Sequence, residues 1–109
     1  MIVIDVLGRA KFDPDKMAKS TLALGENVFA GLSAFEPGQE QPSHSHAGQD
    51  KLYFILQGEG EVHVGTEHGR VGPGDLALAP AGVSHSLRNV AGERLVAMVI
   101  LAPLRGRAE

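Results

Sequence analysis

Residues 38–58 read GQEQPSHSHAGQDKLYFILQG, and residues 74–89 read GDLALAPAGVSHSLRN. The first stretch passes from a polar, proline-containing loop into the run Lys51 to Gln57. In an extended chain successive side chains alternate between two faces. Lys51, Tyr53 and Ile55 then share one face of that run, and Leu52, Phe54 and Leu56 share the other. Both faces are largely apolar, so both need cover. One can be a barrel interior. The other calls for a second layer from the same chain or for another subunit. His44 and His46 are two residues apart, so an extended backbone points both imidazoles to one side. In the second stretch, His85 lies two residues before Leu87 and shares its inward face. If the strands carrying these residues face each other, three imidazoles can meet at one point.

The rest of the chain has the same character. No window places apolar residues at helical spacing; short runs alternate with Gly, Pro, Asn and Asp, which predicts an all-β sandwich or barrel. Ile2 to Val6 reads as a first strand and Asp13 to Lys19 as a loop or a single helical turn. Val28 to Phe35 reads as a strand ended by Pro37-Gly38, and Glu40 to Asp50 as a loop. Gly60 to Gly65 reads as the hairpin partner of Lys51 to Gln57 across Gly58. Thr66 to Gly69 reads as a turn before Val71. A further strand runs from Pro73-Gly74 to Ala79, and His85 to Val90 and Arg94 to Leu101 complete the set. The 14 glycines and 6 prolines suit so many tight turns.

Bulk properties narrow the function. A chain of 109 residues is the size of one domain spanning residues 1–109. Its net charge of −3 and the lack of a basic stripe argue against nucleic acid. Its one basic run, Arg105 to Arg107, reads as a solvated end. With no cysteine, neither a disulfide nor a thiolate site can form. The apolar run Leu95 to Leu104 contains Pro103 and is far below the roughly 20 residues of a membrane helix, so no membrane role is expected. The N-terminus lacks a leader pattern, and the expected location is cytoplasmic.

The two quoted stretches carry a family resemblance. Gly38, five residues, His44, one residue, His46 and then Gly58 resemble the first motif of the cupins, G(X)5HXH(X)3–4E(X)6G. Gly74, Pro80, Gly82, His85 and Asn89 match every fixed position of the second, G(X)5PXG(X)2H(X)3N. The 15 residues between Gly58 and Gly74 resemble the spacing of small microbial cupins. The resemblance covers Gly38 to Asn89 strictly. It implies a double-stranded β-helix, or jelly-roll, cupin barrel, and a metal site at His44, His46 and His85 for a divalent transition metal such as Zn, Fe, Ni or Mn. Imidazole nitrogen is a good ligand for such ions. Asn89 is expected to tie down backbone near the site. His63 and His68 are expected on the outside.

One position departs from the motif. Where the family carries a glutamate seven residues before Gly58, this chain has Lys51, and a protonated ammonium cannot ligate a cation. Three resolutions stand open. Gln49 can supply the fourth ligand, or Asp50 if the loop shifts by one. Three histidines alone can hold the metal, leaving positions for water and substrate. Or the site is polar and metal-free. Lys51 itself either turns to solvent, pairing with Asp50 or Glu40, or reaches the barrel mouth to meet an anionic ligand. Tyr53, on the same face, is a further candidate for ligand contact or core. The expected function is a metal-binding small cupin: an enzyme of dioxygenase, decarboxylase or isomerase type on a small polar or acidic metabolite, or a non-catalytic ligand-binding or sensor protein. A homodimer is expected from the resemblance and from the apolar face Leu52, Phe54 and Leu56.

Overall fold

The computed structural model describes residues 1–104, so the basic run at Arg105 to Arg107 lies outside the described residues. Among the described residues, nine strands follow a single 3-10 turn at Leu7–Arg9: β1 (Ala18–Leu24), β2 (Phe29–Phe35), β3 (Glu40–His44), β4 (Asp50–Gln57), β5 (Gly60–Val64), β6 (Glu67–Val71), β7 (Leu76–Ala79), β8 (His85–Asn89) and β9 (Leu95–Ala102). They form two antiparallel sheets, β1-β2-β9-β4-β7 and β3-β8-β5-β6. The fold is the all-β double-stranded β-helix that the motif spacing predicts. No described helix is long and apolar enough to cross a membrane.

The inner faces make the core. Phe35, Tyr53, Ile55, Leu87, Leu95 and Ala97 meet between the sheets, with Val62 and Val99 at the edges of the cluster. Fully burying a large apolar side chain contributes about 1.5–3 kcal/mol, so this cluster fixes which residues of β4, β8 and β9 face inward. The parity read for Lys51, Tyr53 and Ile55 holds: all three are buried, while Leu52, Phe54 and Leu56 are half-buried on the outside.

That outer face is covered partly from within the chain. Leu22, Leu32, Ala34 and Val96 form a second cluster, and Val3, Val6, Ala10, Phe12 and Leu56 pack against it. The segment Ile2 to Val6 is therefore not a strand. Only Val3 and Val6 find apolar partners, while Ile2 and Ile4 stay exposed. The first strand is instead Ala18–Leu24, whose polar sequence and bulge between Thr21 and Ala23 hid its alternation.

Three other expectations are corrected. β4 and β5 are not a hairpin, because they lie in different sheets. Gly58 carries the chain from one sheet to the other with φ 80°, and a Cβ there would run into the Arg94 carbonyl. A glycine adopts that positive φ without steric cost. The true hairpin is β5–β6, so Thr66 to Gly69 is mostly strand. Glu40 to Asp50 is not all loop either. Its first half is β3, which pairs with β8 and sets His44 opposite His85.

Asn89, at the end of β8, is 1% exposed and fastens three backbone segments. Its Nδ2 donates to the carbonyls of Phe35 (3.2 Å) and Glu93 (2.8 Å), and its Oδ1 accepts from the Ala91 amide (3.0 Å). The expected structural role is the observed one.

Candidate metal centre

His44 comes from the end of β3, His46 from the turn that follows, and His85 from the start of β8. Their ring centroids lie 4.8 Å (His44–His46), 4.2 Å (His44–His85) and 5.4 Å (His46–His85) apart. One ring nitrogen from each can be chosen so that all lie within 4.8 Å of one another. The HxH spacing places two rings on one side, and the β3–β8 pairing brings the third against them.

Two of the rings are oriented by the backbone. The Nδ1 of His44 lies 2.9 Å from the Pro42 carbonyl, and the Nδ1 of His85 lies 3.0 Å from the Val83 carbonyl. A carbonyl only accepts, so each Nδ1 carries the proton and donates. In the neutral ring this leaves the lone pair on Nε2. An outer-shell partner of that kind is what fixes tautomer and ring orientation in histidine metal sites. The His85 Nε2 is fully buried and has no hydrogen-bond partner. A buried polar atom without a partner costs free energy that a ligand can recover. The donor set therefore fits a divalent transition ion.

Electrostatics points the same way. His46 is lowered to about 4, first by burial and then by His44, Lys51, His85 and Lys19. Burial likewise lowers His85, against the opposing pull of its bond to Val83. Both rings stay in the lone-pair form at neutral pH.

Lys51 does not turn to solvent. It is 3% exposed, and its Nζ donates to Gln41 Oε1 at 3.0 Å. Tyr53 donates its hydroxyl to the same oxygen at 2.8 Å, and the ammonium lies 4.7 Å from the Tyr53 ring centre. The Tyr53 ring is also 6.1 Å from that of His85. Neither Asp50 nor Glu40 pairs with Lys51: Asp50 Oδ1 accepts from the Ala81 amide at 2.9 Å, and the ion pairs among described residues do not involve Lys51. Gln49 is buried but lines a neighbouring pocket with Leu24, Phe29, Leu101 and Leu104. Its Nε2 makes only a long 3.5 Å contact with the Pro103 carbonyl, and its Oε1 has no partner.

A cavity of about 340 Å³ opens beside His46 and Lys51, with Lys19, Thr21, Ser33 and Gln41 in its wall. Gln41 and Lys19 escaped the sequence reading. The signal for Gln41 was the need of a buried ammonium for an acceptor; Lys19 sits on the strand that was not recognised. His63 and His68 are exposed, stacked 5.3 Å apart across β5 and β6, away from this cluster.

Comparison with known proteins agrees with the motifs. The Cupin domain family matches residues 31–101, and the chain belongs to that family. The crystal structure of the TT1209 protein from Thermus thermophilus superposes with a TM-score of 0.90 at 40% identity, over 94% of this chain and 98% of that one. An oxalate-binding protein of Thermotoga maritima is 34% identical over 87 residues, which is 78% of this chain and 71% of that protein. An acireductone dioxygenase of Rhodopseudomonas palustris is 39% identical over 67 residues, 58% of this chain but only 40% of that enzyme.

Burial lowers Lys51 from 10.5 to about 8, with Lys19 adding to the effect. The unfolded chain, whose lysine titrates near 10.5, binds more protons than the folded protein between about pH 8 and 10.5. Stability therefore rises with pH across that window, and below it the buried charge is a standing cost. Lys51→Met is expected to stabilise the metal-free protein at pH 7, with a gain that shrinks between pH 8 and 10.5. Urea unfolding at pH 7 and pH 10 measures this; a gain independent of pH would contradict it.

Proposed function

We propose that this protein is a metal-binding small cupin in which His44, His46 and His85 hold a divalent transition metal and the adjoining cavity takes a small molecule. The observation that carries the reading is the buried Nε2 of His85, left without a partner while its Nδ1 is committed to Val83. The rest of the site supports it: His44 is anchored by the Pro42 carbonyl in the same way, and His46 is held neutral. Gln49 is left out of the proposed shell, because its side chain lines the neighbouring apolar pocket.

Three protein ligands leave coordination positions open, as in catalytic rather than structural sites. A bound metal would supply Lewis acidity or activation of a bound small molecule. The chain's own contribution is placement: Gln41 holds Lys51 Nζ at the cavity wall and also accepts from the hydroxyl of the buried Tyr53. An enzyme acting on a small polar or acidic metabolite is the reading favoured by open metal positions beside a cavity. The partial likeness to a dioxygenase is in keeping with it. Binding without turnover is the second reading, supported by the relative named for binding oxalate; fold alone does not choose between them.

The proposal includes a homodimer. Leu76 and Leu78 are 61% and 52% exposed, and they pair with Phe54 and Leu52 on the outer side of β4 and β7, beyond the N-terminal cover. Light scattering at micromolar concentration is expected to give twice the chain mass of 11.5 kDa; the mass of one chain would remove this part of the proposal.

Elemental analysis after reconstitution with Fe(II), Zn(II), Ni(II) or Mn(II) and exhaustive dialysis tests the metal. Near-stoichiometric metal is expected in the wild type. His85→Ala is expected to lose at least about tenfold in metal affinity, since loss of even an outer-shell partner of a ligand costs that much. His46→Ala, at a less buried position, is expected to do the same while keeping the fold. A wild type that retains no metal, or variants that retain as much, would overturn the reading.

A further inference from the structure

The metal centre has an unusual charge balance. The position where the cupin motif carries a carboxylate is Lys51, and that lysine is 3% exposed with a neutral glutamine as its acceptor. A buried charge is normally paired, because desolvating it costs several kcal/mol. Among the described residues no carboxylate forms an ion pair with it. The cavity wall carries two lysines, Lys19 and Lys51, and no acidic residue. Lys19 is near enough to act electrostatically on both Lys51 and His46. Adding a divalent ion to uncharged imidazole donors makes the excess of positive charge larger still.

We propose that a small organic carboxylate from outside the chain completes this site, seated against His46, Lys51 and Lys19, so that metal and carboxylate bind with positive cooperativity. The proposal rests on the three-histidine metal reading above. Two features favour an organic carboxylate over a bare inorganic anion. A carboxylate oxygen is the donor type whose motif position Lys51 occupies. The cavity lining is also mixed, with Phe29, Val99 and Leu101 among the polar groups and Leu101 paired across the strands with Lys51, so a short carbon skeleton has apolar surface to lie on. Gln41 sharpens the subsite: its Oε1 takes one Lys51 proton and the Tyr53 proton, which leaves the other ammonium protons free to donate. A buried lysine that weakens the empty protein thereby becomes the group that reads the ligand's charge.

Cobalt(II) serves as the metal probe, because its visible spectrum reports changes in its shell. Acetate and propionate are the carboxylate probes; acetamide and propionamide are their neutral counterparts. Acetate or propionate at saturation is expected to shift the cobalt spectrum and to tighten cobalt binding by about tenfold or more. Reciprocity requires the same factor between carboxylate affinities of the cobalt-loaded and metal-free protein, which calorimetry reads. The amides are expected to do neither. Lys51→Met is expected to take up cobalt through the histidines and lose the carboxylate response. Lys51→Glu, which puts a carboxylate at the motif position, is expected to bind cobalt more tightly than the wild type without added anion and to ignore acetate. Lys19→Met, at an exposed position, gives a partial loss and guards against misfolding of the buried variants. Cobalt uptake with no acetate effect, or with an equal effect of acetamide, overturns this inference alone. Failure of both the wild type and Lys51→Glu to take up cobalt overturns the metal reading as well.

Discussion

His44 and His85 face each other across β3 and β8, forty-one positions apart in the chain, and that pairing is the constraint on which the site depends. It joins the two motif-bearing stretches of the sequence in one place. With the register set, the HxH spacing brings His46 alongside, and the Pro42 and Val83 carbonyls decide which nitrogen each anchored ring presents. The inner core holds the register. Leu87, two residues along β8 from His85, is fully buried with Phe35 and Leu95, so a one-residue slip would turn Leu87 and His85 outward together. Asn89 closes the same strand by tying it to the end of β2 and the turn before β9.

Lys51 is where stability and function pull apart. The parity of β4 sends it inward with Tyr53 and Ile55, and the cost of that burial is visible in its lowered basicity. A methionine or leucine would serve a purely structural barrel better. The retained ammonium, steadied by Gln41 and set beside an acid-free cavity, makes sense as a group with a ligand to meet. Its presence where a carboxylate would otherwise ligate the metal ties the question of the metal to the question of the anion.

Much of this was readable from residue order because the relevant signals are local. Glycine and proline spacing marks turns, and the two-residue period sets faces, so His44, His46, His85, Asn89 and the inward set of β4 could all be named. What was missed depends on contacts between distant segments. Ile2 to Val6 has the apolar content of a strand but joins neither sheet; only Val3 and Val6 pack, as cover on the outer cluster. β1 itself is disguised by Lys19, Ser20 and Thr21 and by its bulge. The hairpin expected across Gly58 is a crossing between sheets, a distinction that short strands flanking one glycine do not encode. Gln41 and Lys19 were missed for the same reason, since each matters only through its neighbour on another strand.

His44, His46 and His85 are proposed to converge on one metal, His44 and His85 through Nε2. X-ray absorption spectroscopy of the reconstituted protein measures this directly, because imidazole rings give a distinctive multiple-scattering pattern around the absorbing ion. Three imidazoles per metal are expected in the wild type and two in His85→Ala. A shell of oxygen ligands without imidazole scattering, or a pattern unchanged by loss of His85, would contradict it.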